Sequence, residues 1–348
     1  MTPSTDDLTA VLARALSAHL AGGSLAVTEA EPIGTGQMSS SVRVTVATDP
    51  PGLLPGTLVV KRPSADAASR AASRATRTYE IETAFYRDLR PRLAVNAPGC
   101  WHVSYDSEID DFLLVLDDMS PGVQGDQIAG ATPEQVASAV DELAHLHGPL
   151  WGSDLLAELP WLNRASPEQR AGTRSLLESC WPRFLDRFGD RLDAVTRRIG
   201  SGFVADSGSY FEMPTGPLTV VHGDFRLDNL LFPPTGGRTA VVDFQTAVRG
   251  TGATDLAYLV GGSMATEVRR QHDRSMVDRW VAGLESHGAR PADAWGQYRR
   301  QAWAGFVMSV VASVLVQRSE RGDEMFVTMA NRHAAHADDM DSLLLVRR

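Results

Sequence analysis

The chain has 348 residues, 43% of them apolar and 22% charged, with a formal net charge of −10. That balance is ordinary for a globular protein and excludes wholesale disorder, and the acidic excess argues against nucleic acid as the main partner, which needs a basic footprint. Cys100 and Cys180 are the only cysteines, too few for a disulfide framework or a cysteine-rich zinc site, and they fit a reducing cytoplasm.

The N-terminus, Met1-Thr2-Pro3-Ser4-Thr5-Asp6-Asp7, has neither the basic region nor the apolar core of a signal peptide. An amphipathic helix follows, with Leu8, Val11, Leu12, Ala15, Leu16 and Leu20 at helical spacing and Gly22-Gly23 as its stop. Strand-like segments come next, near Ala26–Pro32, Ser41–Thr48 and Thr57–Lys61, and a helix is expected over Ser69–Leu89. Another strand, Phe112–Leu116, ends in Asp117-Asp118-Met119-Ser120-Pro121-Gly122, whose turn-forming composition marks a boundary. The expected division is a strand-rich region over 1–117 and a larger, mainly helical one over 118–348.

Thr132-Pro133-Glu134-Gln135 and Ser166-Pro167-Glu168-Gln169 are both capping boxes with proline at the first helical position. The first opens a helix with Val136, Val140, Leu143 and His147 on one face, stopped at Gly148-Pro149, and the second a helix towards Phe188. Leu218–Val221 and Thr239–Val242 are short apolar strands, after which helices run to the C-terminus. The apolar stretch Ala302–Val316 falls short of the roughly 20 residues that a membrane span needs, so it reads as a buried helix and no membrane partner is expected. His145 and His147 lack the context of a metal pair, and Trp151, Trp161 and Trp181 read as packing residues. Arg197-Arg198 is too short a run for a nucleic-acid patch.

The chemistry concentrates in Val220-Val221-His222-Gly223-Asp224-Phe225-Arg226-Leu227-Asp228-Asn229 and in Val241-Val242-Asp243-Phe244-Gln245. Two apolar strands each end in an acid, and a charge brought that close to a core has a cation or a reaction to serve. Phosphoryl transfer needs a carboxylate to orient the acceptor and Mg²⁺, a hard ion that takes carboxylate, amide and water oxygens, to neutralise phosphate charge. Asp224 suits the first role, and Asn229 and Asp243 the second.

The pattern H-G-D-x-x-x-x-N followed by D-F resembles the aminoglycoside phosphotransferase and choline kinase-like superfamily, relatives of the protein kinases. Thr254-Asp255-Leu256-Ala257-Tyr258 is similar to a further element of that signature. The resemblance implies an α+β, bilobal protein-kinase-like fold, with a small antiparallel-sheet N-lobe and a larger, mainly helical C-lobe. It also implies ATP and Mg²⁺ as cofactors, with ATP between the lobes, and a small hydroxylated molecule as acceptor. Asp224, five residues before Asn229, takes the place of the base, while His222 and Asp255 take structural places around the loop. Arg226 is open to two roles, a phosphate or substrate contact and a plain surface residue.

Lys61, at the end of an apolar strand, matches the kinase lysine that meets the α- and β-phosphates. Glu82 shares an apolar helical face with Tyr79 and Phe85, where a carboxylate wants a cation, and is the expected partner, with Glu80 as the alternative. Between the first two strands Gly34-Thr35-Gly36-Gln37-Met38-Ser39-Ser40-Ser41 permits close backbone approach to phosphate, with Gly34, Gly36, Ser39 and Ser40 as contacts. The resemblance further puts adenine against the connector, at Leu116, Asp117 and Met119.

Gln245 stands where a protein kinase has glycine after Asp-Phe, Asp255 follows Asp243 closely and no Ala-Pro-Glu element is present. These departures argue against a peptide substrate. The other alternative is a catalytically silent nucleotide-binding protein, against which Lys61, Asp224, Asn229 and Asp243 stand together. Asp243-Phe244-Gln245 is similar to the ecdysteroid-kinase-like branch, and His222–Asn229 also to hydroxyacyl-CoA kinase domains. Both imply a hydroxyl on a fairly apolar scaffold rather than an aminoglycoside.

Overall fold

The computed structural model describes residues 4–34, 38–162 and 166–347. They form two compact units. The first comprises Met1–Arg92, Ala97–Ser120 and Asp243–Thr246, and the second Leu93–Asn96, Pro121–Val242 and Ala247–Arg348. The division is therefore not a single cut near 117. Asp243–Thr246 joins the first unit because Phe244 stacks on Phe85, with ring centroids 3.7 Å apart and planes 7° from parallel.

In the first unit the helix Thr5–Ala15 starts at Ser4, whose side chain accepts the Asp7 N–H, and carries Asp6 and Asp7 in its first turn, where negative charge suits the helix dipole. Leu8, Leu12 and Leu16 are fully buried and share one core with Leu25, Val27, Val42, Val44, Leu58 and Val60. Five strands, β1 (Ser24–Pro32), β2 (Ser39–Asp49), β3 (Thr57–Pro63), β4 (Cys100–Asp106) and β5 (Asp111–Asp117), form an antiparallel sheet in the order β1-β2-β3-β5-β4. In β2 the buried Val42, Val44 and Val46 alternate with more exposed residues, the period that the pleat imposes. The sequence reading missed β4. No residue of that edge strand is fully buried, so it carries no hydrophobic alternation, and pairing with β5 is what makes it a strand.

The helix expected over Ser69–Leu89 is two helices, Ala67–Thr76 and Thr78–Ala84, and a π-helical turn, Phe85–Leu89. The break is at Arg77, which adopts left-handed geometry (φ 58°) while its N–H caps the Ser73 and Arg74 carbonyls. The two pieces have different burial requirements. Only Ser73 is buried in the first, whereas Tyr79, Ile81, Glu82, Thr83 and Ala84 are buried in the second, and one straight helix would not orient both.

The second unit is mainly helical. Pro133–His147 and Pro167–Phe188 both begin with complete capping boxes, and Ala253–Ser263, Thr266–Ser286, Ala304–Leu315 and Glu320–Asp339 follow. Its strands are short: β6 (Val123–Gln124), β7 (Thr219–Val221), β8 (Leu230–Phe232), β9 (Ala240–Val241) and β10 (Val248–Gly250). β7 and β9, which flank the His222–Asn229 segment in sequence, lie in different sheets: β7 pairs with β10, and β8 lies between β6 and β9. No helix among the described residues is long and apolar enough to cross a membrane.

Candidate active site

Lys61 lies on β3 opposite Ser41 of β2, and its ammonium is nearly removed from solvent. Its Nζ is 2.5 Å from Glu82 Oε1 and 3.0 Å from Asp243 Oδ1. Burial opposes the charge on Lys61, but the carboxylates of Asp243 and Glu82 outweigh it and hold its pKa above the usual lysine value. Burial pushes the Glu82 carboxyl in the raised direction, and the neighbouring ammonium works against that shift. Glu80 is not the partner, because both of its oxygens accept from Arg77, at 2.6 and 2.5 Å.

Asp243 has left-handed backbone geometry (φ 68°), uncommon for a residue other than glycine. Gln245 Nε2 donates to Asp243 Oδ2 at 3.0 Å, so lysine and glutamine each hold one oxygen of that carboxylate. The residue that departs from the protein-kinase pattern thus orients the acid beside it.

Gly34 follows β1 with φ +74°, the conformation that favours glycine; Gly36 lies outside the described residues. Ser39 and Ser40 open β2 opposite Pro63 and Arg62. The Met38 carbonyl just before them accepts from Tyr79 Oη at 2.6 Å and from Ser73 Oγ at 3.2 Å, which ties this end of the loop to both helical pieces. On β5, Leu116 is buried and paired with Val59. The Asp117 carboxylate accepts the Gly99 N–H at 2.9 Å and Trp101 Nε1–H at 2.7 Å, so its side chain serves its own sheet. Met119 is half-buried, beside an Asp118 whose Oδ2 accepts from Arg43 Nε at 2.9 Å.

In the second unit the segment from His222 to Asn229 leaves the buried strand β7 as a loop held by side chains from several elements. Asp255, buried in the first turn of Ala253–Ser263, accepts the His222 N–H at 2.7 Å and the Gly223 N–H at 3.0 Å. His147 Nε2 lies 3.2 Å from the same carboxylate, and His147 Nδ1 accepts Trp280 Nε1–H at 3.1 Å. With Nδ1 an acceptor, the His147 proton is on Nε2 and points at Asp255. The same logic applies to His222: its Nδ1 accepts the Asp224 N–H at 3.3 Å, so Nε2 donates to the Val242 carbonyl at 3.0 Å. His222 therefore braces the loop to the residue before Asp243.

Both oxygens of the Asp224 carboxylate have donors. Tyr258 Oη is 2.8 Å from Oδ1, while Arg226 Nε and Asn229 Nδ2 are each 3.0 Å from Oδ2. Burial raises its pKa, but the Arg226 charge and the Tyr258 hydroxyl prevail and hold it below the ordinary aspartate value. Asn229 Nδ2 also donates to the Asp224 carbonyl at 2.8 Å, which leaves the amide oxygen as the end that could meet a hard cation. Arg226 also donates to Asp228, and Arg321 reaches Asp228 and Asp126, both at 3.3 Å. Gln124 and Gln127 hold the loop from the other side: Gln124 Nε2 donates to the Asp228 carbonyl at 2.6 Å, and Gln127 Oε1 accepts the Leu227 N–H at 2.9 Å.

Several of these roles were not read from the sequence. Gln124 and Gln127 carried no signal, since their targets are backbone groups that are remote in the chain. Tyr258 did carry one: it lies three residues after Asp255 on one helix, so the two share a face.

An antiparallel-sheet region followed by a helical one is a protein-kinase-like fold, and these two clusters of carboxylate, lysine and amide belong to it. The chain belongs to the phosphotransferase enzyme family, whose model matches residues 29–299. A kinase-like protein of Caenorhabditis elegans, itself uncharacterized, is 24% identical over 180 residues, 50% of this chain and 47% of that protein. The chain thus matches about half the length of that curated relative. Among solved structures, the GDP complex of aminoglycoside 2'-phosphotransferase-IIIa aligns over 95% of this chain and 99% of its own with a TM-score of 0.61 and 14% identity. The ternary complex of APH(2")-IIa with streptomycin and ATP aligns over 94% and 99%, with a TM-score of 0.51 and 16% identity.

Proposed function

We propose that this protein is an ATP- and Mg²⁺-dependent O-phosphotransferase whose acceptor is a hydroxyl of a small molecule. The observation that carries the reading is Asp224: an acid on the loop after β7, held ionised by Arg226 and Tyr258 and still partly open to solvent. An ionised carboxylate can orient an attacking hydroxyl and take its proton. As the acceptor oxygen bonds to the γ-phosphorus, the bond from that phosphorus to the β–γ bridging oxygen breaks. ADP leaves with the electron pair, and the hydroxyl proton passes to Asp224.

Lys61, fixed by Glu82, serves the α- and β-phosphates, and the backbone and hydroxyls of Gly34, Gly36, Ser39 and Ser40 serve as the phosphate loop. Leu116, Asp117 and Met119 meet the adenine, Asp117 through its backbone, since its carboxylate is committed to Gly99 and Trp101. Asp243 and Asn229 each offer an oxygen of the kind Mg²⁺ prefers, and when bound the ion neutralises phosphate charge. Among the described residues no group of three or more His, Cys, Asp or Glu side chains could hold a metal. Mg²⁺ would therefore share its coordination with phosphate oxygens, as is usual for it.

The acids around the base favour an acceptor that is not a polycation. Asp224 and Asp228 accept from Arg226, and Asp228 and Asp126 from Arg321, so two guanidinium groups already offset most of the charge of these three carboxylates. A hydroxyl on a neutral or fairly apolar scaffold suits such a surface. Dependence on ATP and two unpaired cysteines favour a cytoplasmic location.

The test is Mg²⁺-dependent ATP turnover against a library of hydroxylated metabolites, read by mass spectrometry of the phosphorylated product. Turnover should vanish in Asp224→Ala with nucleotide binding retained. Intact MgATP binding with no phosphorylated product from any acceptor would sink the proposal.

A further inference from the structure

Tyr258 has a place in the structure that its position in the sequence motif does not explain. Its ring, 4% exposed, belongs to the helix Ala253–Ser263, one turn after the Asp255 that ties down the loop. It lies stacked on His333 of the helix Glu320–Asp339, with centroids 5.5 Å apart and planes 17° from parallel. His333 is fully buried, and space for it is made by glycine. A Cβ at Gly305 would lie 1.9 Å from His333 Nε2, and one at Gly262 2.8 Å from the same atom. A third glycine, Gly261, faces His333 Nδ1, from which its Cβ would be 2.8 Å away. Packed this way, the tyrosine ring is buried against His333, and its hydroxyl meets Asp224 Oδ1 at 2.8 Å.

We propose that Tyr258 is the positioning residue of Asp224, fixing the plane of its carboxylate through Oδ1 while Arg226 and Asn229 fix Oδ2. The proposal rests on the reading of Asp224 as the base. Burial and the adjacent Asp224 charge raise the Tyr258 pKa well above the usual tyrosine value, so the hydroxyl keeps its proton and acts as the donor. A carboxylate with a buried O–H donor is both better oriented and less basic. Tyr258 thus gives that carboxylate a defined direction towards the acceptor. His333 acts one step further back, as the surface against which the ring is held.

The experiment is Tyr258→Phe in the full chain, with Asp224→Asn as the reference. Two readouts are taken on each variant: phosphate release from MgATP with water as acceptor, with kcat and the KM for ATP measured separately, and thermal stability. We expect kcat to fall about tenfold, the loss of one hydrogen bond to a charged group, with the KM for ATP within about twofold of wild type. Replacing Tyr258 by 3-fluorotyrosine, which keeps ring and donor, should hold kcat within about twofold of wild type without loss of thermal stability, so the bond is tested even if the phenylalanine variant folds poorly. A folded Tyr258→Phe variant with wild-type kcat would overturn the proposal while Asp224→Asn is inactive. Unchanged phosphate release in Asp224→Asn would overturn the base assignment instead.

Discussion

Phe244 stacks face to face on Phe85, its ring centroid 3.7 Å away, while Tyr86 meets the same ring edge-on at 6.3 Å. Phe85 follows directly on the helix that carries Glu82, and Phe244 follows Asp243 in the chain. The stack therefore brings Asp243 to Lys61. Phe244→Ala should cost about 3–5 kcal/mol of stability, the usual loss for a buried aromatic truncated to alanine. It should also weaken MgATP binding, because Asp243 loses its anchor, whereas Phe244→Leu should keep most of both. Urea unfolding and titration calorimetry check this; an alanine variant with wild-type nucleotide affinity would separate the stack from the site.

Lys61 and Glu82 form a buried pair, and breaking such a pair costs more than replacing it. Lys61→Met leaves Glu82 without its cation and should cost about 3–5 kcal/mol. The double variant Lys61→Met/Glu82→Leu should recover part of that loss, although neither variant would be expected to turn over ATP. A double-mutant cycle by chemical denaturation measures the coupling, and simple additivity would argue that the carboxylate is already neutral in the folded protein.

Asp255 holds the loop through two backbone N–H groups. Asp255→Asn keeps the size of the side chain but offers one acceptor oxygen in place of two charged ones. Stability should fall by about 1.5–3 kcal/mol, the range for a hydrogen bond to a charged group. Turnover should drop by more than nucleotide affinity, since the change disturbs the segment that carries Asp224. Thermal melts and steady-state kinetics on one preparation provide the comparison, and equal losses in kcat and ATP affinity would contradict it.

His333 and His336 give the protein an acid sensitivity of its own in the helical unit. Both are fully buried, and burial, with the Arg269 charge next in weight, holds His333 down to about 3 and His336 well below its usual value. Arg332 also lowers His333, Asp273 Oδ1 lies 3.8 Å from His336, and Tyr258 and Tyr298 face the two rings. The unfolded chain binds protons on these imidazoles below about 6.5, while the folded chain does not. Their contribution is therefore complete above that pH and is lost as pH falls towards 3. Each should lower stability by about 1.4 kcal/mol per pH unit in that window. Unfolding free energies between pH 7.5 and 5 should show the slope, and His333→Leu should reduce it by about half. A flat profile would mean that the imidazoles are charged in the folded state.

The candidate site was legible locally. Asp224, Asn229 and Asp243 lie in two short segments after apolar strands, and the two capping boxes fixed their helices because caps act on residues three apart. β4 was not legible, since an edge strand without a buried face has no hydrophobic period. Nor was the break at Arg77, where the packing demands of the two helical pieces override the periodicity that runs through both.

By itself the sequence determined which residue types are present, the spacing from Asp224 to Asn229, and Lys61 on a strand with Glu82 on an apolar helical face. Tertiary structure decided the pairings: Lys61 with Glu82 rather than Glu80, Gln245 on Asp243, and Tyr258 on Asp224. The physical reason is that spacing along one helix or strand fixes which residues share a face. Which donor meets which carboxylate depends on side chains that arrive from other elements and on the room that glycines such as Gly305 leave for them.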